Sequence, residues 1–189
     1  MNEALQALRR FAAPAASPRC ELCSARIDDV HEHLLEVEAQ SLACCCTACA
    51  CLFDTATGGR LRVRPTTRVV AAEAIDVEVF ATPIRVAWAA VVRDEPRLAY
   101  PGPAGIVTHP LDAGTWTRMA EGMPVLASLA PDVEALLVDL RERPRAFVVS
   151  IDRCFELAGI VRRHFSGLSG GTIVHREIEA FLRRLEAAA

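Results

Sequence analysis

The feature that most constrains this chain is the spacing of its cysteines. Cys20 and Cys23 form one Cys-x-x-Cys pair, Cys46 and Cys49 form a second, and 22 residues lie between the pairs. Two tight turns of this kind can present four thiolates to one tetrahedral metal ion, while a hairpin between them brings the turns together. The sequence therefore predicts a four-cysteine metal site within a zinc-ribbon-like module.

Zinc is the ion that this pattern favours. A module of this size cannot bury enough apolar surface to fold alone, and a bound metal supplies the missing free energy. Iron is the alternative, because four thiolates on two turns also describe a rubredoxin-like centre, and the number of ligands does not separate the two metals.

Three further cysteines lie beside the second pair and exceed what a four-coordinate site needs. We expect Cys45 and Cys51 to be small buried hydrophobic residues, which is a common use of cysteine, and Cys154 to pack in the core from a later helix. Cys44 has two alternative roles. It can replace a ligand of the metal site, or it can lie close by as a reactive thiol whose pKa the metal lowers.

Two histidines precede the second cysteine pair. His31 and His33 are two residues apart, so on a strand their side chains share one face and lie near the metal site. A site of three cysteines and His33 is therefore an alternative ligand set, although two complete cysteine pairs already satisfy the usual coordination number.

Length and charge narrow the function classes. With 189 residues the chain can bury one substantial core together with a small module, and its net charge of −3 offers no electrostatic basis for binding nucleic acid or anionic lipid. All 21 basic residues are arginines, which excludes a Schiff-base lysine or a P-loop lysine. The sequence has neither a signal-peptide run nor the roughly 20 apolar residues of a membrane helix, so we expect a cytoplasmic protein with reduced thiols.

The chain divides into three parts on these patterns. Residues 2–12 are spaced like a short amphipathic helix and, with a linker of small residues, they make up 1–17. The metal-binding module covers 18–60, where "HLLEVEAQSLAC" predicts two short strands around a turn. The remaining part, 61–189, is expected to be an α+β domain.

Strand and helix patterns succeed one another within 61–189. "PIRVAWAAVV" with "RLAY", and "DVEALLVDL" with "RAFVVSI", predict two strand pairs, each followed by helices. "YPGPAGI" is expected to be a loop, since its prolines cannot continue a ladder, and Asp112 and Asp152 are expected to cap helices. The predicted fold class is α+β: a zinc-ribbon-like module followed by a mainly antiparallel sheet with packed helices.

Two other features favour structural roles over catalytic ones. The glycine-rich segment 165–172 precedes a helix, as a phosphate site does, but it follows a helix rather than a strand, so a tight connection is favoured. No nucleophile elbow accompanies its serines. The six arginines from Arg141 to Arg163 predict a solvated face, with docking to an acidic partner protein as the alternative.

Several motifs occur together between residues 18 and 186: "CELC", "HEHLLEVE", "YPGPAG", "IDRCFELAGIVRRHFSGLSGG" and "IEAFLRRL". Together they resemble an uncharacterised family of small cysteine-rich proteins that are often encoded beside nickel-iron uptake hydrogenases. The resemblance implies a hydrogenase-associated accessory role, such as maturation, assembly or electron delivery. The family favours tryptophan where this chain has Phe165 and His175. Its pattern of cysteines and histidines falls on Cys20, Cys23, His31, His33, Cys44, Cys46 and Cys49.

These observations lead to one functional prediction and two alternatives. We expect a non-catalytic accessory or adaptor protein, in which a structural zinc site supports docking onto a protein partner such as hydrogenase subunits or maturation factors. The first alternative is a rubredoxin-like iron protein that transfers electrons for a hydrogenase. An enzyme that uses the metal as a Lewis acid ranks last, because four cysteines close the coordination shell.

Overall fold

The computed structural model describes residues 18–165 and 171–189. The helix expected over 2–12 and most of the glycine-rich segment 165–172 lie outside these residues. The described chain is α+β, with antiparallel sheets and four α-helices in these residues, so the predicted fold class is confirmed at this level. It separates into two compact units, with the boundary between Arg62 and Val63.

The first unit is built around a short hairpin. Strand β1 (Glu32–Glu36) pairs antiparallel with β2 (Ser41–Cys45), as the sequence predicted, and β3 (Arg60–Val63) lies on the other side of β1. Helix α1 (Thr47–Ala50) follows β2 directly and continues into a single 3-10 turn, Cys51–Phe53. The second cysteine pair therefore lies where the hairpin passes into a helix.

The core of the first unit is small. A few buried side chains make it up, and cysteine sulfur replaces hydrocarbon in part of it, because a module of this length has little apolar surface to bury. The buried members are Cys20, Leu34, Ala43, Cys45 and Ala50.

The second unit is organised by one six-stranded sheet. Its strand order is β4-β9-β8-β5-β6-β7, and each neighbouring pair is antiparallel. The two expected strand pairs, β5 with β6 and β8 with β9, are confirmed, and β5 also pairs with β8 to join them. The strands are β4 (Thr67–Val70), β5 (Val86–Val92), β6 (Glu95–Gly102), β7 (Gly105–Pro110), β8 (Glu134–Asp139) and β9 (Arg145–Ser150).

Both faces of this sheet are covered at its centre. In β8 and β9 every residue after the first is buried, which explains why these strands read as continuous apolar runs rather than alternating ones. On one face Leu136 and Val148 belong to a core that includes Met119 and Leu126. Two helices, Ile151–His164 and Gly171–Ala188, pack against other parts of the same sheet.

Four helical segments complete the second unit. They are α2 (Ala113–Gly122), a 3-10 segment (Pro124–Ser128), α3 (Ile151–His164) and α4 (Gly171–Ala188). None of the helices in the described residues is both long and apolar enough to cross a bilayer.

The two predicted helix caps have different outcomes. The Asp112 side chain accepts a hydrogen bond from the Thr115 amide at 2.9 Å, so this N-cap is confirmed. Asp152 was expected to cap α3, but Ser150 occupies the N-cap position and Asp152 lies in the first turn. There its negative charge still interacts favourably with the positive end of the helix dipole.

The loop expected at "YPGPAGI" is wrong. Strand β6 continues through Pro101 to Gly102, and Pro101 pairs with Ile106 of β7. Beyond Ala99, β6 pairs only with β7 in the described residues, so Pro101 has no second partner strand there whose ladder its missing N–H would interrupt. Gly105, at φ 136°, then completes the tight turn in a conformation that glycine favours.

An ion-pair network joins the sheet to α4. Asp139, which is 1% exposed at the end of β8, accepts hydrogen bonds from Arg141 at 2.8 Å and Arg145 at 2.7 Å. Both arginines also contact Glu179 of α4, and Arg145 holds the pKa of that carboxyl below its ordinary value. The prediction of a solvated arginine face is therefore wrong for Arg141 and Arg145, which are mostly buried partners of acidic residues.

We expect Asp139→Asn to lower the free energy of unfolding by about 3 kcal/mol, near the low end of what removing one partner of a buried ion pair costs. The arginines would stay buried with less compensating charge. Urea unfolding of the full chain measures this. Glu186→Gln is the matched control, since Glu186 lies 43% exposed at the far end of the network and its loss should cost about 0.5 kcal/mol or less. Equal effects of the two substitutions would contradict the assignment.

Candidate metal centre

The first cysteine pair lies in a tight backbone turn. The amide of Ser24 donates to the Cys20 carbonyl at 2.8 Å, and the amide of Cys20 donates to the Ala25 carbonyl at 2.8 Å. Ser24 has φ 61°, in the left-handed region that such turns require. These bonds bend the chain so that Cys20 and Cys23 lie on the same turn.

The second cysteine pair lies at the start of α1. Cys46 precedes the helix, its side chain makes no capping hydrogen bond, and its carbonyl accepts from the Ala50 amide at 2.9 Å. One helical turn places Cys49 close to Cys46 in space. The Cys46 sulfur therefore stays available to bind a metal ion.

Hydrogen bonds to Glu21 bring the two turns together. The Glu21 amide donates to the carbonyl of Cys44 at 2.9 Å, and the Cys44 amide donates to the Glu21 carboxylate at 2.6 Å. Glu21 lies between the cysteines of the first turn, and Cys44 is two residues before the second pair. The two cysteine pairs thus face each other across these two hydrogen bonds.

The structure collects the four sequence-predicted cysteines at one place. The sulfurs of Cys20, Cys23, Cys46 and Cys49 all lie within 4.8 Å of one another, and those of Cys23 and Cys46 are 3.8 Å apart. A regular tetrahedron with metal–sulfur bonds of about 2.3 Å has sulfur–sulfur edges of about 3.8 Å. The four cysteines could therefore hold a metal ion.

The protonation of this cluster follows from its crowding. Burial raises the pKa of Cys20, but hydrogen bonds from the backbone of Cys46, Cys23 and Leu22 outweigh it and lower the pKa to about 6. Contacts with the thiols of Cys46 and Cys23 raise the pKa of Cys49 to about 12. One thiolate thus forms readily, and a divalent cation would be needed to stabilise several together.

The pKa of Cys23 is also raised. A hydrogen bond from the backbone of Ala25 lowers it, but contacts with the Cys20 and Cys46 thiols more than offset that effect. Cys23 is the exposed member of the group and Cys20 is the buried one. The cluster therefore extends from the core of the first unit to its surface.

The donor set limits what this centre can do chemically. Four thiolates suit zinc, or iron in a rubredoxin-like tetrahedron, and are a poor match for magnesium or calcium, which prefer oxygen ligands. Four protein ligands also complete a tetrahedral shell. The arrangement therefore suits a structural or electron-transfer role better than Lewis-acid catalysis.

The cysteines expected to be packing residues have different environments. Cys45 and Cys154 are fully buried, and burial raises the pKa of both thiols, to about 11 for Cys45. These two predictions are confirmed. Cys51 is exposed, and its sulfur lies 3.6 Å from the Arg62 guanidinium, so the prediction that it is buried is wrong. The 3-10 turn that follows α1 places its side chain outward.

The two alternative ligands lie in a second group. The ligand atoms of Cys44 and His33 lie within 4.8 Å of each other and of His31, and they group separately from the four cysteines. The sequence predicted Cys44 and His33 as substitute ligands of the main site, or Cys44 as a reactive thiol beside it. The signal that could have separated them is the hairpin register, which places His33 directly opposite Cys44.

A cavity in the second unit offers a different surface. It encloses about 850 Å³ and is lined by Tyr100, Val107, Arg141, His175 and Glu179 among others. Arg141 and Glu179 already pair with each other there, which reduces the charge they offer to a ligand. The size suits a small molecule, but no signal in the sequence had indicated this cavity.

Comparison with known proteins places the chain in a family. The profile of a family of unknown function, DUF5947, matches residues 19–189. The chain belongs to this family. The match covers both cysteine pairs and the whole second unit, so the expected resemblance to an uncharacterised family of cysteine-rich proteins is confirmed. No curated protein and no solved structure matches the chain.

Metal uptake by this centre should release protons. Because the pKa values of Cys23 and Cys49 are raised, both thiols are protonated at neutral pH and must lose their protons to bind a cation. We expect zinc affinity to fall as the pH is lowered from about 8 to 6, with protons displaced in each binding event. Calorimetric titration in two buffers of different ionisation enthalpy counts these protons. Identical heats in both buffers would contradict the prediction.

Proposed function

We propose that this protein is a non-catalytic metal-binding accessory or adaptor protein with a structural zinc ion held by Cys20, Cys23, Cys46 and Cys49. The observation that carries this proposal is the collection of four cysteine sulfurs within 4.8 Å on two turns of the backbone. Together with the hairpin between the turns, this collection of sulfurs supports the proposal of a zinc-ribbon-like module.

A structural role for the metal is supported by the small core of the first unit. Its few buried side chains cannot supply the free energy that folding of such a module requires. Zinc binding would supply it, and the closed shell of four thiolates leaves no position for a substrate. Removal of the metal should therefore unfold the first unit.

An adaptor role is supported by apolar side chains that the first unit leaves in solvent. Leu22 lies between the cysteines of the first turn and is 36% exposed, and Leu52 is 69% exposed just after α1. Apolar groups on a rigid turn contribute efficiently to protein–protein contacts, because little conformational entropy is lost on binding. The proposed partner, a nickel-iron hydrogenase or one of its maturation factors, rests on the family resemblance alone.

The identity of the metal can be tested directly. We expect protein purified without oxygen and without added metal to contain about one zinc ion per chain at the four-cysteine site and to show no visible absorption. Cys49→Ser should lose this zinc, whereas Cys51→Ser, at an exposed cysteine outside the group, should keep it. Elemental analysis and absorption spectra give the answer. A folded protein that contains no metal would contradict the proposal.

A rubredoxin-like iron protein is the second candidate. The exposure of Cys23 favours it, because a ligand sulfur at the surface offers an electron a short path to a partner. In that case the purified protein would contain iron in place of zinc. The oxidised form would be red through thiolate-to-iron charge transfer and would lose its colour on reduction.

The adaptor role has its own test. We expect the immobilised, metal-loaded chain to retain purified hydrogenase subunits or maturation factors, and Leu22→Glu to reduce this retention at least about tenfold, since it places a charge in an apolar contact. Val69→Glu is the control, because Val69 is 61% exposed in the second unit. If none of these proteins is retained while the zinc is present, the choice of partner is wrong and the metal assignment stands.

A further inference from the structure

The strongest unassigned feature of the molecule is the group formed by His31, His33 and Cys44. One ligand atom from each lies within 4.8 Å of the others. We propose that these three residues form a second metal site, with two imidazole nitrogens, one thiolate and a fourth position open to water or to an external ligand. The site uses ligands separate from the four-cysteine centre, but its hairpin belongs to the first unit, whose folding rests on the metal proposed above.

The pairing of the two hairpin strands brings the side chains of this site together. His33 in β1 and Cys44 in β2 are directly paired, so their side chains lie on the same face of the hairpin. His31 is two residues before His33 and shares that face. The two imidazole rings contact each other edge to face, with centroids 4.8 Å apart. The three side chains thus converge because of strand register rather than proximity in sequence.

The hydrogen bonds of His31 prepare it as a ligand. Its Nδ1 lies 2.8 Å from the Asp28 carbonyl oxygen, which can only accept, so Nδ1 carries the proton and Nε2 has a lone pair. A backbone carbonyl that fixes one ring nitrogen in this way is typical of histidines that bind metals.

The other nitrogen of His31 is left without a partner. Nε2 is buried, and it has no hydrogen-bond partner within residues 18–165 and 171–189. A buried acceptor in this state costs free energy, because its hydration is lost and nothing replaces it. A metal ion bound to Nε2 would remove that cost. The unsatisfied nitrogen is a second observation, independent of the clustering of the three residues.

Two hydrogen bonds to Glu21 fix the backbone of Cys44, and burial together with the nearby Glu21 carboxylate raises the pKa of its thiol. Its amide and its carbonyl both hydrogen-bond to Glu21, and its side chain is half-buried. Glu21 lies between Cys20 and Cys23, so an ion in the four-cysteine centre would also hold the backbone of Cys44. We expect the second site to bind its metal more tightly when the first is loaded.

The donor set selects the class of ion. Two imidazoles and one thiolate suit borderline or soft transition-metal ions such as zinc, and they discriminate against calcium and magnesium, which prefer oxygen. Three protein ligands leave a tetrahedral ion one open position, as in catalytic rather than structural zinc sites. An ion at this site can therefore bind a small molecule or a partner's side chain.

The test uses cobalt(II) as a coloured substitute for zinc in the full-length chain. Metal-free native protein, titrated without oxygen, should bind about two cobalt ions, and His31→Ala, His33→Ala and Cys44→Ser should each bind about one. The remaining ion in these variants should keep the spectrum of four thiolate ligands. His164→Ala and Cys51→Ser are matched controls, which lie outside both groups and should bind about two.

The outcomes distinguish this site from the four-cysteine centre. The proposal is overturned if native protein binds about one cobalt ion, or if the three variants bind as many ions as the native chain does. Loss of the four-thiolate spectrum in native protein would instead contradict the function proposed above. If His33→Ala lowers the thermal stability of the metal-free chain, Cys44→Ser decides, because serine keeps both backbone hydrogen bonds of this position to Glu21 and replaces the thiol with a hydroxyl of similar size.

Discussion

The two hydrogen bonds between Glu21 and Cys44, one of them to the Glu21 carboxylate, are the contact on which the first unit depends. It joins a turn from before the hairpin to the end of β2, over 23 residues of chain, and so brings the two cysteine pairs face to face. It helps to hold the four sulfurs within 4.8 Å of one another. A metal ion would act together with this contact, because it can bind the same two turns through Cys20 and Cys46.

The second unit gains the free energy of folding from a larger apolar core. Its six-stranded sheet buries apolar side chains on both faces, so that it needs no metal to gain enough buried surface. Among the described residues of this unit, the buried charged side chain is Asp139, and Arg141 and Arg145 satisfy its carboxylate. With the proposed metal in the first unit, chelators would remove a stabilising ligand from that unit.

Sequence reasoning succeeded where local rules are sufficient. The cysteine pairs, the β1–β2 hairpin, the Asp112 cap and the strand pairs of the sheet all follow from spacing, alternation or capping chemistry over a few residues. It was wrong where a neighbour distant in sequence decides the outcome. Pro101 can lie in a strand because β6 pairs there with β7. Arg145 is mostly buried because Glu179, 34 residues later in the chain, forms an ion pair with it.

The sequence by itself determined which cysteines are able to share an ion, because a Cys-x-x-Cys turn holds its two sulfurs close whatever surrounds it. Only the tertiary structure decided where the other candidate ligands, His31, His33 and Cys44, lie. The register of one hairpin sets His33 opposite Cys44 and away from the main centre, and a shift of one residue would turn these side chains to opposite faces. Register depends on the whole sheet and on its turns, so no spacing rule for single residues could have predicted this second group.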